Sequence, residues 1–339
     1  MPHLCAVSCD LDYESRGKRA GSLDVTLSDN DHAFSALQVP IGVIAGGPGP
    51  TALLTAGSHG DEYEGQVILH RLMRDFEPRH LTGRLILLPA LNLPAVRARQ
   101  RVSPLDDGNM NRSFPGHGAA GPTAAIASYV SRELIPRADV ILDFHSGGTA
   151  TRHVDCGFVT LGKDEALNQA NLDLARCFGA PFTMVCASGD YDGDFDSEAH
   201  RQSTAFLACE LGGFGTVSRA SLDIGWRGSL RVLDKAGILS EEARHLVPQP
   251  AGKTHFIDVG QKASHVTAPR EGLAQILVAP GQAMLSGDPI AELYSVSEFG
   301  TPSEILTAPR AGIVSVVRRN PLVAAGDHLV LISALTEAS

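Results

Sequence analysis

Residues 51–65 read TALLTAGSHGDEYEG, and residues 139–148 read DVILDFHSGG. Each stretch opens with an apolar run and closes on polar residues able to do chemistry. An unbroken apolar run of this length suits a strand covered on both faces, as in a parallel sheet between helices. From Glu64 onward, Val67, Ile68, Leu72 and Phe76 recur with helical spacing. RLILLPAL (84–91) reads as a further buried strand, and GPTAAIASYVSRELIPRA (121–138) as a helix. Strands alternating with helices predict an α/β fold, a mixed, mainly parallel sheet flanked by helices. Upstream, LDVTL and SALQVPIGVIAG alternate polar and apolar residues and read as leading strands of period 2.

Beyond about Thr254 the helical spacing stops, and short strands punctuated by Gly and Pro take over. TAPREGLAQILVAPGQAMLSGDPIAEL (267–293) is repeated as TAPRAGIVSVVRRNPLVAAGDHLVLI (307–332) once one residue is skipped. Each copy carries TAPR, a glycine, a strand, a turn, then Gly-Asp and a closing strand. Two such halves predict a small C-terminal β-barrel or sandwich with pseudo-twofold symmetry. The expected division is a catalytic unit over 1–253 and a β domain over 254–339. The repeat looks like the biotinyl/lipoyl type of barrel, which as a carrier needs a lysine on the hairpin between the halves. The only lysine after Thr254 is Lys262, outside that hairpin, so the tail reads as scaffold.

The chain has 339 residues, and 28 Lys and Arg against 38 Asp and Glu leave a net charge of −10. Such a charge argues against a general nucleic-acid binder or an anionic-membrane binder, since both affinities come from Lys and Arg. No apolar run reaches the roughly 18 residues of a membrane span. The start, Met-Pro-His-Leu-Cys, lacks the basic and apolar regions of a secretion signal. The six cysteines are sparse and form no CxxC, so the expectation is a reduced, cytoplasmic protein.

His59 and Glu62 in SHGDE, and His145 in LDFHS, each follow a predicted buried strand. Ligand sites in open α/β sheets form beyond the carboxyl ends of strands, so neighbouring strands would bring the three together. Two imidazoles and one carboxylate form a catalytic zinc set with a position left open. Asp143, two residues before His145 on the same face, is suited to orient that imidazole. Between the ligands lies LNLPAVRARQRVSPLDDGNMNRSFPG (91–116), a long Gly/Pro-rich stretch that reads as a site-building loop. Asn111 and Arg112 offer an amide and a guanidinium fork for a substrate carboxylate. Arg101 is suited to stabilise a developing oxyanion. Arg97 and Arg99 read as solvated.

GSHGDEYEG, LNLPAVRARQR, DGNMNRSFPG and LDFHSGG together resemble the succinylglutamate desuccinylase/aspartoacylase family, a branch of the zinc carboxypeptidase-like fold. The resemblance covers 40–255, and the tail fits the family's extra C-terminal domain. It implies that His59, Glu62 and His145 hold one Zn2+ per chain. It implies also that Arg101 polarises the scissile carbonyl and that Asn111 and Arg112 hold the substrate carboxylate. The family's general acid/base is a later glutamate, which Glu210 in FLACELGGFG matches. LNLPAVRARQR followed by DGNMNRSFPG looks closest to the ectoine-degradation branch, deacetylases of N2-acetyl-L-2,4-diaminobutanoate. Aspartoacylases carry DLNR where this chain has Asn109-Met110-Asn111-Arg112, a departure in favour of that branch. The acidic stretch GDYDGDFDSE (189–198), if part of it borders the pocket, favours a substrate with a free ammonium group.

The implied function is hydrolysis of the amide of a small N-acyl amino acid. Glu210 would take the proton of the attacking water and return it to the leaving amine. The alternatives are N-acetylaspartate or N-succinylglutamate as substrate, a metallocarboxypeptidase acting on peptides, or a metal-binding interaction protein. A homodimer fits the family resemblance and the exposed β tail.

Overall fold

The computed structural model describes residues 6–27, 35–116, 121–187, 193–249 and 252–337. Strand β1 (Val7–Ser8) pairs with β2 (Gly17–Leu27), and β2 pairs along its whole length with β3 (Ser35–Ala45), all antiparallel. Next come β4 (Thr51–Ala56), α1 (Glu64–Asp75), β5 (Arg84–Leu88), α2 (Leu93–Ala98) and α3 (Pro122–Tyr129). They are followed by β6 (Val140–His145), β7 (Thr151–His153), β8 (Cys156–Leu161), α4 (Glu165–Phe178) and β9 (Phe182–Ala187). Helix α5 (Phe195–Arg201), β10 (Ala205–Glu210) and α6 (Arg219–Lys235) complete this part. Strands β5, β4, β6 and β10 lie side by side and parallel, while β8 joins β10 antiparallel and β9 parallel to β8.

The apolar runs are explained by burial on both faces. Leu53, Ile86, Ile141 and Phe206 pack into one core, and Leu54, Leu87, Leu142 and Leu207 into the other. Helix α1 covers the second face through Ile68, Leu69 and Leu72. It lies close because Gly65 has no side chain: a Cβ there would sit 2.2 Å from Phe144 Cβ.

Two readings are corrected. The strand expected over 84–91 stops at Leu88, because Pro89 has no N–H to continue the ladder. The stretch 91–116 is not all loop: Leu93–Ala98 is helical, with Pro94 in its first turn, where a missing N–H costs nothing.

The tail consists of β11 (His255–Thr267), β12 (Gly272–Ile276), β13 (Ala283–Met284) and β14 (Pro289–Tyr294). Its second half adds β15 (Glu304–Thr307), β16 (Gly312–Arg318), β17 (Leu322–Val323) and β18 (His328–Leu335). The repeated halves interlock: β13 pairs with β16, and β17 with β12. Pairings among the described residues divide the tail between two sheets and close no barrel. One is a separate four-stranded sheet, β15-β14-β12-β17; the other is the end of the large sheet, where β11 pairs in parallel with β9. A core including Met284, Ile290, Leu293, Val314, Val330 and Ile332 fills the space between them.

Candidate active site

Strands β4, β6 and β10 end together, and the site is built on those ends. His59 and Glu62 lie in the turn after β4, His145 is the last residue of β6, and Glu210 is the last of β10. Glu210 stands in register with His145. His59, Glu62 and His145 are all buried, and their ligand atoms lie within 4.8 Å of one another. His59 Nδ1 is 2.8 Å from Glu62 Oε1, and His145 Nδ1 is 2.9 Å from Glu62 Oε2. The turn holds its shape through close backbone approach. Gly60 N–H donates to Gln100 O, and a Cβ on Gly60 would sit 1.9 Å from the Ala95 carbonyl carbon.

Outer partners aim the two rings. His145 Nε2 meets Asp143 Oδ2 at 2.8 Å, and Thr55 Oγ1 donates to Asp143 Oδ1 at 2.6 Å. His59 Nε2 meets Asn109 Oδ1 at 3.2 Å. With both Nε2 atoms facing oxygen acceptors, the Nδ1 atoms turn towards the carboxylate, as imidazoles that ligate a metal do. The donor set of two nitrogens and a carboxylate fits a divalent ion with a further coordination position. Burial works against a proton on His145, but the charges of Asp143 and Glu62 outweigh it and raise its pKa well above the usual histidine value. Burial also works against charge on Glu62, yet His145 and His59 hold its carboxyl below the usual range. The cluster thus draws positive charge to its centre.

A cavity of about 420 Å³ opens on the cluster, and all seven expected site residues line it: His59, Glu62, Arg101, Asn111, Arg112, His145 and Glu210. Arg101 NH1 reaches within 3.3 Å of His59 Nδ1 and 3.6 Å of Glu62 Oε1. Asn111 spends its carbonyl on the N–H of Phe195, at 2.8 Å. Arg112 NH1 contacts Asp194 Oδ1 at 2.5 Å. Asp194 and Asp196 also line the cavity, so the acidic stretch borders it. Burial raises the Asp194 pKa despite Arg112. Asp190 and Asp192 of that stretch lie outside the described residues.

Sequence reading missed Asn109 and His153, which also contacts this site. Asn109 was hidden inside a motif valued for its neighbours. His153 sits on a three-residue strand too short to show a pattern. Among the described residues, no helix is long and apolar enough to cross a membrane.

The sequence profile of the succinylglutamate desuccinylase/aspartoacylase catalytic domain matches residues 48–236. The N-alpha-acetyl-L-2,4-diaminobutyric acid deacetylase of Halomonas elongata is 34% identical over 332 residues, 98% of this chain and 96% of that one. The product-bound ectoine utilization protein EutE (DoeB) of Ruegeria pomeroyi superposes with a TM-score of 0.90 at 34% identity, covering 97% of this chain and 98% of that one. A succinylglutamate desuccinylase from Silicibacter sp. TM1040 gives a TM-score of 0.90 at 32% identity, with the same coverage. The profile matches more than half of the chain, sequence and fold agree over nearly the whole length, and the chain belongs to the succinylglutamate desuccinylase/aspartoacylase family.

Proposed function

We propose that this protein hydrolyses N2-acetyl-L-2,4-diaminobutanoate to acetate and L-2,4-diaminobutanoate, a step of ectoine degradation. The observation that carries the hydrolase reading is the buried His59, Glu62 and His145 cluster facing Glu210 across one cavity. The substrate reading is supported by the full-length likeness to a deacetylase of that name. It is supported also by Asp194 and Asp196 beside the cavity, where carboxylates suit an ammonium group.

His59, Glu62 and His145 would hold Zn2+, which when bound supplies a Lewis acid at the scissile carbonyl and acidifies water. The chain's own groups do the rest. Glu210 takes the proton of the attacking water and passes it to the leaving amine. The Arg101 guanidinium stands beside the triad, where the amide oxygen gains charge. Arg112 and the Asn111 amide grip the substrate carboxylate, and Asp196 faces its ammonium. The described cysteines are free thiols, which suits a reducing cytoplasm.

The test is release of primary amine from N2-acetyl-diaminobutanoate, N-acetylaspartate, N-succinylglutamate and short peptides, with zinc content measured on the same sample. The first substrate is expected to show the highest kcat/KM, and Asp196→Asn to lower it for that substrate alone. Preference for N-acetylaspartate or a peptide would overturn the substrate reading. Glu210→Gln is expected to lose about 10²–10⁴-fold in kcat while keeping its zinc.

A further inference from the structure

Resting on the reading of Glu210 as the base, we propose that His153 is its positioning residue, delivered to the site by the C-terminal β unit. His153 Nδ1 lies 2.9 Å from Glu210 Oε2. Both atoms are buried, and neither has a hydrogen-bond partner among the described residues, so the contact between them is an ion pair off hydrogen-bond geometry. The two side chains are only 20% and 18% exposed, so little water competes for the contact. Burial opposes a proton on His153, but the Glu210 charge, with help from Glu62, outweighs both burial and the repulsion of His145, and its pKa is raised. Glu210 thus favours the charged form of the imidazole it faces.

The geometry explains why the base needs such a partner. A carboxylate next to a cation-binding cluster is drawn towards the metal position and is free to rotate. Anchoring Oε2 on His153 fixes the rotation and leaves Oε1 as the oxygen that takes the proton. The anchor is itself held from the tail. Strand β7 pairs with β16, with His153 opposite Val316 and Arg152 opposite Val317. The Val154 N–H donates to Ser315 O at 2.8 Å, and the His153 N–H donates to Gly212 O at 2.9 Å, two residues beyond Glu210. The three-residue strand thus ties the C-terminal sheet to the segment that carries the base.

The experiment compares His153→Ala, His153→Gln, Glu210→Gln and the double variant Glu210→Gln/His153→Ala as zinc-loaded full-length proteins. His153→Ala is expected to lower kcat about tenfold to a hundredfold, the scale of a displaced catalytic group, with KM within about threefold and zinc content unchanged. Loss of the neighbouring positive charge is expected to move the acidic limb of the kcat/KM profile to higher pH, which a merely structural role would not do. His153→Gln keeps a neutral donor, so kcat should recover in part while the acidic limb stays displaced; it also serves if the alanine variant fails to fold. In the double variant, the His153 substitution should cost little beyond Glu210→Gln, because residues acting as a unit are not additive. The proposal falls if both His153 variants keep kcat within about twofold and an unmoved acidic limb. It falls equally if the two losses multiply in full. Near wild-type turnover by Glu210→Gln would remove the base itself, a separate result, and the proposal with it.

Discussion

In the proposed metal site, the readiness of His145 to bind an ion depends on two side chains that stand behind it. Asp143 accepts from His145 Nε2 and is itself fixed by the Thr55 hydroxyl on the neighbouring strand. A carboxylate in that position sets the tautomer and raises the basicity of the facing nitrogen. Asp143→Ala is therefore expected to weaken zinc binding about 10–100-fold, read by competition with a chromogenic chelator. Turnover should return at saturating zinc; unchanged affinity would remove Asp143 from the site. The clustering of the three proposed ligands was legible in the sequence because strand-end position and residue chemistry coincide in SHGDE and DFHS. His153 was not, because its role follows from a pairing between β7 and β16 that local residue pattern does not encode.

Among the elements, α4 shows how a helix is locked to the sheet by polar contacts as well as by Leu172 and Phe178. Asp164 caps it by accepting from the N–H groups of Ala166 and Leu167, and Gly179 ends it with φ 68°, in the left-handed region. Midway, buried Asn171 accepts the Phe206 N–H of β10 at its Oδ1, which orients its Nδ2 towards His200 Nε2 at 3.0 Å. The imidazole must accept that hydrogen bond, so the fold requires it neutral. Burial agrees and depresses its pKa below the ordinary value of about 6.5, against the pull of Asp196 and Asp164. The unfolded chain then binds more protons in the window below about 6.5, so this contribution is complete above that pH and fades as the pH falls through it. Thermal melts from pH 7 to pH 5 should show a shallower decline for His200→Gln, which keeps an acceptor and loses the titration. Parallel curves for the two proteins would contradict this account. The helix itself was not singled out by sequence reading. The strands β4 and β6 were, because burial on both faces leaves them an uninterrupted apolar signature.

At the scale of the whole molecule, the large sheet runs from the N-terminal ribbon through the catalytic strands into the tail. The repeat over 267–332 revealed the tail's internal symmetry, and the interlocked pairing of β13 with β16 and β17 with β12 is its structural form. That β11 would join β9 was not legible, since an alternating pattern announces a strand and leaves its partner open. This continuity has a thermodynamic consequence. Ile332 on β18 is fully buried in the tail core, β18 pairs with β11, and β11 pairs with β9 of the catalytic part. Ile332→Ala removes three carbons from a packed site and is expected to cost about 2–5 kcal/mol. If the sheet unfolds as one unit, that loss is felt far from the substitution. The only tryptophan of the chain, Trp226 on α6, packs edge-on to Phe76 in the catalytic core and reports on that distant region. Its fluorescence midpoint and the far-ultraviolet dichroism midpoint should fall together, by the same amount, in a single transition. An early dichroism transition that leaves the Trp226 midpoint unmoved would mean that the tail unfolds on its own, and the shared sheet would then carry no cooperativity between the two parts.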